Sequence, residues 1–121
     1  MKVLLIHGPN MNLLGLYSKH RLTLDKLNRA IKNHIKTIPN LEVKIAQTHD
    51  ETKFVSLLQK NRNKVDAFIL NIGAWHISSY LIKDTLNILK LPYRIVEGEK
   101  SEDFLAQSIF NTSLIIKKED I

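Results

Sequence analysis

Polar side chains that could transfer protons or bind an anion follow three apolar runs of the sequence. His7 and Asn10 come after the first run, Asn71 and His76 after a later one, and Glu97 after a third. An imidazole or a carboxylate can act as a general acid or base, and an amide can hold a carbonyl or hydroxyl oxygen. These residue types predict a small-molecule site. Each also has a structural interpretation as turn chemistry, a packed histidine or a solvated acidic turn.

Tyr17 adds a phenol in a predicted loop that can fold over these side chains. A phenol acts as a general base only if its pKa is lowered, usually by a nearby cation, and Lys19 and Arg21 are the candidates here. The loop is therefore a candidate lid with Tyr17 as a candidate catalytic residue.

The sequence argues against several other kinds of site. It contains no Cys, which excludes disulfides and thiolate ligands to a metal. The first turn lacks the GK[ST] ending of a phosphate-binding loop and the three-glycine spacing of a dinucleotide fingerprint. A metal held by His7, His76 and Glu97 is the less favoured alternative, because it requires three ligands to converge. We predict no metal and no organic cofactor.

The elements that must position these residues alternate between strands and amphipathic helices. Apolar residues recur at spacings of three and four in the helical segments and form short runs in the strands. The predicted order is strand 3–6, helix 23–37, strand 41–45, helix 51–60, strand 67–70, helix 78–89 (with Leu81, Ile82, Leu86 and Leu89 inward), strand 93–96, a helix from Ser101 and strand 114–116. This alternation predicts an α/β, flavodoxin-like fold: five parallel strands in the order 2-1-3-4-5, with helices on both faces. A ligand is expected where strands 1 and 3 end.

Composition is typical of a globular protein. A length of 121 residues predicts one domain, residues 1–121. The formal charge of +6 suits a small anionic ligand. Binding of nucleic acid is not favoured, because no basic block is interleaved with aromatic residues. No apolar run is long enough for a membrane span, and we expect the first residues to form a strand rather than a secretory signal. With the lack of Cys, we expect a cytoplasmic protein that does not bind membranes.

Three segments together resemble the type II 3-dehydroquinate dehydratase family. VLLIHGPNMNLLG resembles the first strand of that family and its N-G-P-N-L-N-L-L-G turn, with His7 in place of the first Asn. FILNIGAWHISSYLIKDTL resembles its third strand and the helix that follows, and Gln47-Thr48 resembles the end of its second strand. The resemblance implies a flavodoxin-like fold and elimination of water from 3-dehydroquinate, without a cofactor, in the shikimate pathway. It also implies a homo-oligomer, a trimer often assembled into a dodecamer.

Four residues match family positions in this resemblance. Asn10 matches the Asn that holds the water stabilising the enolate, and Asn71 matches a substrate-binding Asn. Ser79 matches a substrate-binding Ser, and Asp84 matches an Asp that reaches between subunits.

The lid and the end of the fourth strand depart from the family pattern. Aligned with the family pattern without a gap, Tyr17 falls on the position of the lid Arg; with a gap, it falls on the position of the catalytic Tyr. No Arg in this loop has the spacing expected of the lid Arg. The substrate-binding His falls on Ile77, one place after His76, and Glu97 replaces the catalytic His. The carboxylate-binding Arg is missing. Two functions follow: a dehydratase that uses Tyr17, His76 and Glu97 in a shifted geometry, or a divergent paralogue. Such a paralogue would bind a small molecule or serve as an assembly or regulatory subunit.

Overall fold

A computed structural model of the chain describes residues 1–17, 23–73 and 75–96, with Tyr17, His76 and Ile77 described by their backbone. Strands and helices alternate along it, as the apolar pattern predicts. In chain order the elements are β1 (Lys2–His7), a 3₁₀ turn (Met11–Leu13), α1 (Leu14–Tyr17), α2 (Leu24–Ile35), β2 (Glu42–Gln47), α3 (Glu51–Asn61), β3 (Ala67–Asn71), α4 (Trp75–Ser78), α5 (Tyr80–Leu89) and β4 (Tyr93–Ile95).

The four strands form one parallel sheet in the order β2-β1-β3-β4. The α/β class and the first four positions of the predicted order are thereby confirmed. The predicted helix from Ser101 and the fifth strand, 114–116, lie outside the described residues, so the fifth position stays a prediction. β1 lies in the centre, with the ends of β2 and β3 on either side of its own end.

The sheet is covered on both faces, because successive residues of a strand point to opposite sides. On one face, Val3 and Leu5 pack with the buried residues of α2. On the other, Leu4 and Ile6 pack with α3 and α5. All five residues of β3 are buried, which explains the apolar run over its first four residues. The predicted helices on both faces are confirmed.

Short polar side chains begin the longer helices. The Thr23 hydroxyl accepts from the backbone N–H of Lys26 at 3.2 Å, so α2 begins where the sequence predicts. Asp50 caps α3 in the same way, accepting from Thr52 N at 2.9 Å.

The predicted helix 78–89 is present as α5 (Tyr80–Leu89), and Ser78 belongs instead to the short helix α4 that precedes it. Ser79 caps α5 by accepting from Ile82 N at 3.1 Å, and α4 ends just before it. The prediction that Leu81 points inward is wrong, because its side chain is 48% exposed. The buried stripe of α5 contains Ile82, Thr85 and Leu86 at helical spacing, and Leu81 lies beside that stripe on the outer surface.

Within the described ranges, none of the helices combines the length and the apolar character needed to cross a membrane.

Candidate functional site

The turns after β1 and β3 touch each other at the carboxyl edge of the sheet. His7 lies opposite Asn71 in the register of the two strands. The backbone N–H of Gly8 then donates to the carbonyl oxygen of Asn71 at 2.8 Å. A Cβ atom on Gly8 would lie 3.0 Å from Ile72 Cα, a tight contact with backbone, so this close approach favours glycine. The two polar turns that the strand order predicts to be neighbours are therefore in direct contact.

His7 is fully buried, and both of its ring nitrogens are hydrogen-bonded. Nε2 lies 2.8 Å from Oδ1 of Asn28 on α2, and Nδ1 lies 3.0 Å from Nδ2 of Asn71. Burial lowers the pKa of His7 from 6.5 to about 4, and the hydrogen bond with Asn28 opposes part of that decrease. His7 is thus a neutral imidazole that joins α2 to β3. In this arrangement neither nitrogen is available to a metal.

Asn71 lies beneath the first turn and is 5% exposed. Its Nδ2 also approaches the sulfur of Met11 at 3.5 Å, while its Oδ1 makes no hydrogen bond within the described part of the chain. Since an amide oxygen is a strong acceptor, Asn71 offers this atom to a ligand hydroxyl.

Asn10 lies at the tip of the same turn and is exposed. Its φ is +67°, in the left-handed region that Asn tolerates better than most residues. Its carbonyl accepts from Leu13 N at 3.0 Å, which starts the 3₁₀ turn, and the next residue, Met11, is buried. The turn therefore presents Asn10 at the surface above Asn71 while Met11 anchors it.

Ser79 is buried between α3 and α5, and its hydroxyl group is engaged. It donates to Oε1 of Glu51 at 2.5 Å and accepts from Ile82 N. A hydroxyl has one proton and two lone pairs, so one lone pair remains for any ligand.

The outer face of α5 carries Asp84 among exposed apolar side chains. Tyr80 is 82% exposed and Ile88 69% exposed, and Lys83 Nζ lies 5.8 Å from the centre of the Tyr80 ring. Asp84 is itself exposed on the same surface as Tyr80 and Leu81.

The other sequence-predicted residues are located by their backbone or lie outside the described ranges. Tyr17 is the last residue of α1, a short helix where the sequence suggested a loop. His76 lies in α4, directly after the β3 turn. Glu97 lies outside the described residues. Among the residues that the structure covers, no three His, Asp or Glu side chains converge as metal ligands.

A second polar feature lies at the end of β2. A cavity of about 550 Å³ opens beside Gln47 and Thr48, and its far side carries Lys53 and Lys60 of α3. Gln47 Nε2 is buried there without a hydrogen-bond partner in the described ranges. The carboxylate of Asp50 also lines the cavity, and the two ammonium groups leave a net positive charge that favours an anion.

Sequence reasoning missed Asn28 and Glu51. Asn28 carried a signal, because it occupies the inward stripe of α2 at helical spacing from Leu24 and Ile31. A polar residue in such a stripe needs a buried partner. Glu51 carried none, since an acidic residue in the first turn of a helix is ordinary.

Comparison with known proteins identifies the family of this chain. A family model described as class II dehydroquinase matches residues 1–115. The 3-dehydroquinate dehydratase of Prochlorococcus marinus is 34% identical over 120 residues, which cover 95% of this chain and 77% of the relative. The 3-dehydroquinate dehydratase of Dictyoglomus turgidum is 37% identical over 115 residues, covering 90% of this chain and 79% of the relative.

A solved structure agrees with the sequence comparisons. The type II dehydroquinase of Butyrivibrio crossotus superposes with a TM-score of 0.73 at 27% identity. The match covers 93% of this chain and 83% of that protein.

Proposed function

Because the chain belongs to the class II dehydroquinase family, we propose that it binds 3-dehydroquinate where β1 and β3 end and removes water from it to give 3-dehydroshikimate. One observation carries the proposal: the turns that bear Asn10 and Asn71 are joined by the hydrogen bond from Gly8 N to Asn71 O at 2.8 Å. Two amides that the family resemblance assigns to one substrate are thereby supplied by adjoining turns.

The reaction requires groups on opposite sides of the substrate. A base removes a proton from the carbon beside the ketone, the enolate oxygen is stabilised, and an acid protonates the departing hydroxyl, which leaves as water. In our proposal Tyr17 is the base, Asn10 stabilises the enolate through a water, and Glu97 serves at the leaving group. Asn71 and His76 bind substrate hydroxyls, and Ser79 contributes its remaining lone pair.

We expect this chain to turn over 3-dehydroquinate more slowly than an enzyme that has all the catalytic residues of the family pattern. Tyr17 has no Arg at the family spacing, and Glu97 stands in place of a His. Displacing a catalytic group by about 1 Å can cost roughly 100-fold in rate, and several groups are altered together.

A dehydratase assay on purified protein tests the proposal by following the conjugated enone of the product. We expect slow turnover that Tyr17→Phe abolishes, with Tyr93→Phe as the matched control, since Tyr93 begins β4 at the opposite edge of the parallel sheet. A folded protein without turnover, whose melting temperature does not shift with 3-dehydroquinate, would refute the proposal.

A divergent paralogue is the second candidate, and the replacement of the catalytic His by Glu97 favours it. Such a protein would bind a small anionic cyclic molecule without converting it, or would act as an assembly or regulatory subunit. A melting temperature that rises with 3-dehydroquinate in the absence of turnover would select this function.

We also propose that the protein forms a cytoplasmic homotrimer, which can assemble further into a dodecamer. The exposed apolar side chains on α5, Tyr80, Leu81 and Ile88, support an interface around Asp84. In this arrangement Asp84 reaches the neighbouring subunit.

A further inference from the structure

His7 is the buried ionisable group for which the proposed reaction has no direct use. It ends β1 with no exposed surface, and its ring spans from Asn28 on α2 to Asn71 on β3. Its neighbours in the sheet register, Gln47 and Asn71, are uncharged amides. The groups hydrogen-bonded to the ring are also amides, so no charged side chain of the described residues shares its hydrogen bonds.

The two hydrogen bonds define the state of the imidazole. A neutral imidazole has one N–H donor and one acceptor nitrogen. Oδ1 of Asn28 can only accept, so the proton lies on Nε2. Nδ1 is then the acceptor, and Nδ2 of Asn71 donates to it over 3.0 Å.

This assignment determines which end of the Asn71 amide faces the ligand. One Nδ2 hydrogen is held by His7, and Nδ2 also approaches Met11 Sδ at 3.5 Å. Rotating the amide by half a turn would place Oδ1 against Nδ1 and bring two acceptors together. The amide nitrogen is therefore held inward, and Oδ1 is left as the outward acceptor.

We infer that His7 is a positioning residue whose unprotonated Nδ1 holds Asn71 so that Oδ1 accepts a hydrogen bond from a ligand hydroxyl. Burial supports this role, since it lowers the pKa of His7 to about 4 and keeps Nδ1 free of a proton near neutral pH. The ligand's identity as 3-dehydroquinate rests on the proposed function, but the orientation of Asn71 does not.

The first test needs no ligand. In protein labelled with ¹⁵N, a two-bond ¹⁵N–¹H correlation spectrum reports which ring nitrogen of His7 carries the proton. We expect the proton on Nε2 alone near neutral pH. A proton on Nδ1, or on both nitrogens, would overturn the inference.

The second test changes the charge beside His7. In Asn28→Asp a carboxylate faces Nε2, favours the doubly protonated ring and raises the pKa of His7. Protonated Nδ1 cannot accept from Asn71, so the affinity for 3-dehydroquinate should fall roughly tenfold as His7 becomes protonated. Asn33→Asp, an exposed position on the same helix, is the matched control and should follow the wild type.

The side-chain amide of Asn71 separates this inference from the proposed function. We expect its Nδ2 resonance in Asn28→Asp to shift with the protonation of His7, with or without 3-dehydroquinate. If the wild type fails to bind 3-dehydroquinate but this coupled shift occurs, the proposed function is lost and the positioning of Asn71 is supported. If the Nδ2 resonance of Asn71 does not shift when His7 is protonated, the inference is overturned. If Asn28→Asp does not fold, the wild type can be titrated toward pH 4 instead, and the Nδ2 resonance of Asn71 followed as His7 becomes protonated.

Discussion

At the scale of single residues, the burial of His7 couples protonation to folding. The pKa of His7 is about 4 in the folded chain and has its ordinary value of 6.5 when the ring is exposed. Between pH 4 and pH 6.5 the unfolded state therefore binds more protons than the folded state. The neutral ring makes its full contribution to the free energy of unfolding above pH 6.5, and this contribution is lost as the pH falls toward 4. We expect the free energy of unfolding to lose about 3 kcal/mol from this group as pH falls from 6.5 to 4.

Urea unfolding of the wild type and of His7→Asn across this pH range measures that loss. The steeper fall of stability in the wild type should disappear in His7→Asn. His34→Asn, a substitution at an exposed histidine on α2, should retain the wild-type slope. Equal slopes for the wild type and His7→Asn would contradict the role assigned to burial.

At the scale of elements, the contact between the β1 and β3 turns favours a residue without a side chain at position 8. In Gly8→Ala the new Cβ would lie 3.0 Å from Ile72 Cα and 3.3 Å from the Asn71 carbonyl oxygen, both backbone atoms that move only with the strand. We expect a loss of about 2 kcal/mol in the free energy of unfolding, together with weaker ligand binding.

Gly73→Ala is the matched control in the neighbouring turn. A Cβ there has no atom within 4 Å, so its cost comes only from the φ of +54°. That strain is about 1 kcal/mol. If chemical denaturation shows Gly8→Ala to be no less stable than Gly73→Ala, the turns do not approach as closely as described.

The elements also show which features the sequence could predict. The start of α2 and the edge position of β2 were predictable, because capping and alternating polarity are local signals. The hydrogen bond between Ser79 and Glu51 was not, since it joins residues that are distant in the chain. The partners of His7 were missed for the same reason: Asn28 reaches it only after α2 packs on the sheet.

At the scale of the whole molecule, the exposed apolar face of α5 predicts an oligomer. Ile88 is 69% exposed, and a lysine there would place a charge in the proposed trimer interface. We expect sedimentation to show a trimer for the wild type and smaller species for Ile88→Lys. Leu16→Lys is the control, since Leu16 is 83% exposed on α1. A wild type that sediments only as a monomer would contradict this interface.

The charge of the whole chain, +6, favours an anionic ligand, and the edge where β1 and β3 end offers it neutral hydrogen-bonding groups. The most direct test is calorimetric titration of the wild type, Asn71→Ala and Asn63→Ala with 3-dehydroquinate. Asn63 is exposed in the turn after α3, so its variant is the matched control. We predict that the wild type and Asn63→Ala bind alike and that Asn71→Ala binds roughly tenfold more weakly. A folded wild type without binding, or an Asn71→Ala variant with wild-type affinity, would contradict the assignment of the site.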